Sequence, residues 1–497
     1  MLIQNQIKRS DMISCLLCMD APCSKACDSF NPGDALRSIW FDNEDVASLK
    51  IPEDNPCVNC SAPCEGVCIS DSKVPVKALM SELAWSIRTK AEIAMPSDEE
   101  RLKCDICGVP LENPFFLSSS VVASTYDMCA RAFEAGWAGI SFKTVCSLDI
   151  HEASPRFSAI TGDNGSIIGF KNIEQLSDHS VAENMQIFRE LKKNYPTKFI
   201  LASIMGQNEE EWESLAKLCE ENGADAIELN FSCPNMQEDG LGSDIGQIPE
   251  LVEKYTKAAK RSTTIPVLAK LTPNVANMSP AAEAAFRGGA DGIAAINTIK
   301  SVIGVNPLTY VSAPAVKGKS AVGGYSGNAV KPIALRFISE LGQNPNLKGM
   351  HISGMGGIET WRDSLEFILM GAGSIQITTA VMQYGYRIID DLKSGLNYYL
   401  AQMGIKSVKD IVGAGLDSIS DTTDVLERDT VLFPKFDLDK CVGCGRCVIS
   451  CNDGGHQAIK FENRRPKLDG SKCVGCHLCL LVCRQDAISS SKKRISR

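Results

Sequence analysis

The chain has 497 residues, 44% hydrophobic and 22% charged, with a net charge of −9. That balance excludes a disordered chain, and Lys and Arg scattered among acids argue against a surface built for a polyanion. No apolar run is long enough to span a bilayer, Met1–Asp11 lacks the apolar stretch of a signal peptide, and the 22 cysteines therefore point to metal ligation in the cytoplasm rather than to disulfides.

Cysteine placement divides the chain. Eight lie within Cys15–Cys68, eight within Cys441–Cys483 and six between, which predicts domains over residues 1–100, 101–430 and 431–497. The first domain carries Cys15-Leu-Leu-Cys18-Met-Asp-Ala-Pro-Cys23-Ser-Lys-Ala-Cys27 and Cys60-Ser-Ala-Pro-Cys64-Glu-Gly-Val-Cys68, with Cys57 just ahead of the second run. The pair Cys104 and Cys107 has no second pair nearby and reads as structural.

In the middle, short apolar runs alternate with helical patterns. Strands are predicted over Pro114–Ser119, Gly139–Lys143, Phe199–Ile204, Ala226–Asn230, Pro266–Lys270, Gly292–Asn297, Met350–Ser353 and Ser374–Thr378. Helices are predicted over Met128–Ala135, Val181–Lys193, Glu210–Asn222, Pro249–Arg261, Ala281–Gly288, Pro332–Leu341 and Trp361–Met370. Such alternation spells an α/β fold of the (β/α)8 TIM barrel type, with a doubly wound open sheet as the rival. Polar residues collect at the strands' C-terminal ends: Ser119, Lys143, Asn230, Lys270, Asn297 and Thr378. In a barrel these ends share one face, where active sites are built. Glycine-rich turns at Ser353-Gly-Met-Gly356-Gly357 and Gly323-Gly-Tyr-Ser326-Gly327 suit a phosphate group. No G-x-G-x-x-G turn opens a nucleotide fold. The pattern suggests bound flavin mononucleotide (FMN) and no site of the chain's own for NAD(P) or FAD.

The last domain holds Cys441-Val-Gly-Cys444-Gly-Arg-Cys447 and Cys473-Val-Gly-Cys476-His-Leu-Cys479, each closed three residues later by Cys451 or Cys483. This is the spacing of a two-cluster ferredoxin, in which the fourth cysteine of each run crosses to the other [4Fe–4S] cluster. The usual proline after the last cysteine is replaced by Asn452 and Arg484, which removes no ligand.

These residues resemble a known family. Asn230-Phe-Ser-Cys233-Pro-Asn235 is similar to the strand-four loop of dihydroorotate and dihydropyrimidine dehydrogenases. Phe142-Lys143-Thr144, Lys270-Leu-Thr-Pro-Asn274, Ala295-Ile-Asn297-Thr298 and Gly323-Gly-Tyr-Ser-Gly-Asn-Ala-Val-Lys-Pro332 match the same family. From about Cys104 onward, the order of barrel and ferredoxin resembles the catalytic subunits of bacterial NAD-dependent dihydropyrimidine dehydrogenases. The resemblance implies FMN contacts at Ser119, Lys143, Thr144, Lys270, Gly327, Gly356, Gly357, Thr378 and Thr379. The N-terminal runs resemble the helical iron–sulfur domain of eukaryotic dihydropyrimidine dehydrogenase and of the glutamate synthase small subunit. Interleaving in that family implies one set of Cys15, Cys18 and Cys23, and another of Cys27, Cys60, Cys64 and Cys68. Family members complete the first set with Gln or Glu on the following helix, the place of Glu82 here; Cys57 is the alternative. Four [4Fe–4S] clusters per chain are then expected.

The eukaryotic enzymes carry FAD and NADPH domains between their N-terminal clusters and their barrel. Here Lys73–Leu102 leaves room only for a helix and a linker. Electrons are therefore expected from a separate FAD- and NAD(P)H-binding reductase subunit or another donor, in a homodimer or heterotetramer. The expected reaction is the reduction of uracil or thymine to the 5,6-dihydropyrimidine. Cys233 is the candidate acid, since an ordinary thiol with a pKa of about 8.5 is mostly protonated near neutrality. Asn172, Asn230 and Asn297 can satisfy both the donors and the acceptors of uracil, beside Ser232 and Thr298. Glu174 can accept from its N–H and would repel the carboxylate of orotate. The rival readings are a dihydroorotate dehydrogenase catalytic subunit and a non-catalytic electron-transfer subunit.

Overall fold

The computed structural model describes residues 12–88, 94–162, 166–236, 240–426 and 429–496; Met1–Asp11, read above for its lack of a leader, lies outside them. The chain divides into two compact units, Met1–Asp417 and Ser418–Arg497.

The first unit is built around eight parallel strands: β1 (Phe115–Leu117), β2 (Gly139–Val145), β3 (Phe199–Ile204), β4 (Ala226–Asn230), β5 (Val267–Lys270), β6 (Gly292–Ala295), β7 (His351–Met355) and β8 (Ser374–Ile377). Each pairs with the next in the chain, and β8 returns to β1, so the sheet closes into a barrel. All residues of β3, β4, β5, β6 and β8 are buried. Strands covered on both faces read as continuous apolar runs, which is why the sequence exposed them. Helices begin where side chains cap them: Ser180 and Glu183 form a capping box ahead of Val181–Asn194, as do Thr360 and Asp363 ahead of Trp361–Leu369. The helix after β8, Ile388–Gln402, was not among the predicted ones. Gly395 weakens its pattern because the Trp361 indole occupies the space a Cβ would need.

Two features outside the predicted elements shape the barrel's upper face. A register shift between Phe142 and Val145 interrupts the β2–β3 pairing. Strict alternation would send Lys143 and Thr144 to opposite faces; the irregularity lets both reach the cavity described below. A four-stranded antiparallel sheet also forms, in the order Ile299–Ser301, Gly323–Ser326, Ile167–Asn172, Phe157–Thr161. Its strands are short and partly exposed, so periodicity alone did not find them. Gly169 is required there, because the Tyr325 hydroxyl lies where its Cβ would stand.

Helices Pro32–Trp40, Glu44–Leu49 and Val76–Arg88 make the N-terminal part of the same unit. Arg37 and Ser38 bond Asp391, Asn43 bonds Ser394, and the Trp361 indole N–H donates to the Asp42 carbonyl. These polar ties surround a shared apolar core containing Leu36, Ile39 and Leu83 together with Leu392 and Leu396. The second unit, by itself, pairs Pro434–Phe436 with Ile488–Ser490 and Ile459–Glu462 with Arg465–Leu468 around helices Arg446–Gly454 and Leu478–Leu481. Among the described residues no helix is long and apolar enough to cross a membrane.

Candidate active site

A cavity opens at the C-terminal ends of the barrel strands, with about 1120 Å³ of empty space including its open mouth. Its wall gathers Ser119, Lys143, Thr144, Asn172, Glu174, Asn230, Cys233, Lys270, Asn297, Thr298, Gly327, Gly356, Gly357, Thr378 and Thr379. Ser232 is placed differently. Fully buried behind the wall, it donates to Asn230 Oδ1 (2.8 Å) and accepts from Asn297 Nδ2 (2.8 Å). It orients two asparagines and does not itself face the cavity.

One end of the cavity suits a phosphate. Gly327, Gly356 and Gly357 have φ of 90°, 121° and 82°, a region that L side chains rarely adopt. A Cβ on Gly357 would lie 2.6 Å from the Lys331 backbone nitrogen, where helix Lys331–Gln343 begins. The Lys331 ammonium turns away to Asp363 (2.6 Å) and Glu366 (3.0 Å). Backbone N–H groups and the helix terminus are thus left to face an anion. Ser119, Ser120, Thr144, Ser326, Thr378 and Thr379 line the adjoining wall in hydroxyl pairs 2.9–3.2 Å apart. This donor set fits the phosphate and ribityl hydroxyls of FMN, and Lys270 is available for its ring.

The other end holds the acid candidate. Burial pushes the Cys233 thiol up to about 11, with Glu152 adding to the rise and the Asn235 N–H, Lys270 and Lys143 opposing it. The thiol is therefore a more secure proton carrier at neutrality than its ordinary pKa suggested. Asn230 donates to Thr144 Oγ1 (2.8 Å). Asn235, quoted in the motif but not singled out, donates to Asn172 Oδ1 (3.2 Å) and the Glu174 carbonyl (2.8 Å). Its own Oδ1 is buried in the cavity wall without a partner among the described residues. An unpartnered buried acceptor is costly, about 1–3 kcal/mol, and its chemistry suits a ligand N–H.

Glu174 is not the isolated carboxylate that the sequence implied. Lys143 Nζ lies 3.0 Å from Glu174 and 3.1 Å from Glu152, and Arg156 lies 3.2 Å from Glu174. Burial raises the Glu174 pKa, with Glu152 adding and Lys143 opposing. Two cations and two carboxylates balance, so repulsion of an orotate carboxylate is weaker than expected. Lys143 is also committed to this cluster rather than being free beside a flavin. Neither Glu152 nor Arg156 was singled out, because both sit in the loop after β2 with no periodic signal.

Sixteen of the 22 cysteines fall into sets of four. In the second unit, Cys441, Cys444, Cys447 and Cys483 line one cavity, and Cys451, Cys473, Cys476 and Cys479 line another. At the N-terminus, Cys15, Cys18, Cys23 and Cys68 line a common cavity. Cys27, Cys57, Cys60 and Cys64 stand together: burial raises the Cys57 thiol with help from Cys27 and Cys60, and pushes Cys64 up to about 11 with help from Glu65, Cys27 and Cys57. This differs from the expected grouping in two ways. Cys68 joins the first trio, and Cys57 joins the second. Glu82 is exposed and does not line the Cys15 cavity, because helix Val76–Arg88 turns Leu79, Met80 and Leu83 to the core. Among the described residues no three His, Cys, Asp or Glu side chains converge on a single ion.

Comparison with known proteins agrees with this architecture. A dihydroorotate dehydrogenase family model matches residues 101–400, and a 4Fe-4S dicluster domain model matches residues 435–490. The chain is 52% identical over 363 residues to the NAD-dependent dihydropyrimidine dehydrogenase subunit PreA of Escherichia coli, covering 73% of this chain and 88% of PreA. It is 36% identical over 343 residues to the chloroplastic dihydropyrimidine dehydrogenase (NADP(+)) of Arabidopsis thaliana, covering 66% of this chain and 80% of that protein. With the catalytic subunit of dihydroorotate dehydrogenase B (NAD(+)) from Pyrococcus horikoshii it shares 37% identity over 320 residues, covering 63% and 98%. On these matches and on its barrel, the chain belongs to the dihydroorotate dehydrogenase family of oxidoreductases and is a homologue of PreA.

Proposed function

We propose that the chain is the catalytic subunit of a dihydropyrimidine dehydrogenase, reversibly reducing uracil or thymine to the 5,6-dihydropyrimidine. Electrons originate from NAD(P)H on a separate FAD-containing subunit and pass through four [4Fe–4S] clusters to FMN. The observation that carries the reading is one cavity lined together by the buried Cys233 thiol, four asparagines and a glycine-rich phosphate cradle. The name of PreA as a subunit supports the need for a partner.

When bound, FMN supplies hydride for one carbon of the pyrimidine C=C bond. The chain's own residues do the rest. Asn172, Asn230, Asn235 and Asn297 present both amide donors and acceptors to the ring's carbonyls and N–H groups. Cys233 delivers the proton to the other ring carbon, and the thiolate left behind is favoured by Lys270 and Lys143. Hydride and proton together balance the two-electron saturation. The proposed cluster ligands are Cys15, Cys18, Cys23 and Cys68; Cys27, Cys57, Cys60 and Cys64; Cys441, Cys444, Cys447 and Cys483; and Cys451, Cys473, Cys476 and Cys479.

The purified holoprotein should reduce uracil with reduced viologen and fail to do so with NADH or NADPH until an FAD-containing reductase is added. Anaerobic assays with each donor check this. Robust NADH oxidation by the chain alone would overturn the donor assignment, and silence with viologen would overturn the catalytic one.

A further inference from the structure

A polar column runs up the inside of the barrel, where apolar layers are the rule. Glu228, on β4, is fully buried. Its carboxylate accepts from Ser141 Oγ (3.1 Å) and Gln376 Nε2 (3.3 Å), and faces Lys270 Nζ at 3.5 Å. Gln376 Nε2 also donates to Ser353 Oγ (3.1 Å), which accepts from Ser374 Oγ (3.0 Å), and Ser374 meets His351 Nε2 at 2.8 Å. Burial lowers His351 to about 4, so it is neutral near pH 7. Glu228 and Lys270 are the other ionisable members of this column.

Lys270 is 2% exposed and lines the cavity. Its other hydrogen bond goes to Ser118 Oγ, at 3.4 Å. With one hydroxyl as its other partner, the ammonium takes its reach and direction from the facing carboxylate. Gln376 bridges the same carboxylate to the cavity wall, and its Oε1 is buried without a partner among the described residues.

We propose that Glu228 is a positioning residue for Lys270 and that the pair sets how strongly the cavity favours the flavin's negative charge on reduction. The proposal rests on the flavin reading above and adds a residue whose side chain does not itself line the cavity. Together the two charges sum to zero. Removing the carboxylate leaves the ammonium unopposed and favours reduction; removing the ammonium does the reverse.

The test is the midpoint potential of the bound flavin in the holoprotein, measured by dye equilibration at about pH 6.5, far below the ordinary lysine range. Glu228→Gln should raise the reduced-to-oxidised ratio at least tenfold at fixed potential, a shift of about 30 mV for a two-electron couple. Lys270→Met should lower it, and the double variant should return towards the parent, as a neutralised pair does. If Glu228→Gln fails to fold, the double variant against Lys270→Met carries the test, because replacing both partners of a buried pair is often tolerated. Glu228→Gln with flavin bound and an unmoved potential would overturn the proposal alone, as would a double variant that matches Lys270→Met. A parent chain that binds no flavin would overturn the flavin reading with it.

Discussion

Cys233→Ala should keep its flavin, its clusters and its affinity for uracil while losing most turnover. General acid catalysis is typically worth ~10²–10⁴-fold in rate, and the loss should fall in that range. Cys233→Ser should recover little, since an unassisted hydroxyl is a far weaker acid than a thiol. The direction of the pKa shift sharpens the expectation. With the thiol pushed up to about 11, the proton donor persists across the neutral and mildly alkaline range, so this group should impose no decline on uracil reduction there. Dihydrouracil oxidation needs the thiolate, and four pH units below that value roughly one thiol in ten thousand is ionised. Where this step limits the rate, oxidation should climb about tenfold per pH unit towards 11. Stopped-flow reoxidation of the reduced flavin by uracil, and its reduction by dihydrouracil, read both arms. Equal rates in Cys233→Ala and the parent would remove the thiol from the mechanism.

Anaerobically purified protein should contain about sixteen iron and sixteen sulfide, four of each per cubane. Cys57→Ala should remove about four of the sixteen irons, because Cys57 stands with Cys27, Cys60 and Cys64. Glu82→Ala should leave the count unchanged, since that side chain faces solvent. Iron analysis with EPR of the reduced protein distinguishes the sites. A count near eight would leave the N-terminal domain without clusters. Loss of iron in Glu82→Ala with an intact Cys57→Ala would restore the ligand set expected from the resemblance.

The barrel was legible because its strands are buried on both faces and so stand out as apolar runs; β3 and β4 match their predicted bounds. Strand-end polar residues located the cavity for the same reason, since a closed parallel sheet sends all those ends to one face. Three kinds of residue escaped. Glu152 and Arg156 lie in an irregular loop, and only the folded chain brings them to Lys143 and Glu174. Glu228 sits inside a buried strand, and only the closed barrel brings it to Lys270. The interleaved N-terminal cysteines were assigned by resemblance, although the sequence held a better signal. Cys57-x2-Cys60-x3-Cys64-x3-Cys68 nearly repeats Cys15-x2-Cys18-x4-Cys23-x3-Cys27. Exchange of the last cysteine between runs, the rule used for Cys451 and Cys483, gives the grouping that the structure has at both ends.

The most direct test of the central claim is anaerobic titration of the oxidised holoprotein with dihydrouracil and, separately, with dihydroorotate, following flavin absorbance. The account predicts bleaching of the flavin band by dihydrouracil, reversed on addition of uracil, and no bleaching by dihydroorotate. Bleaching by dihydroorotate with an inert dihydrouracil would contradict it and make the chain a dihydroorotate dehydrogenase catalytic subunit.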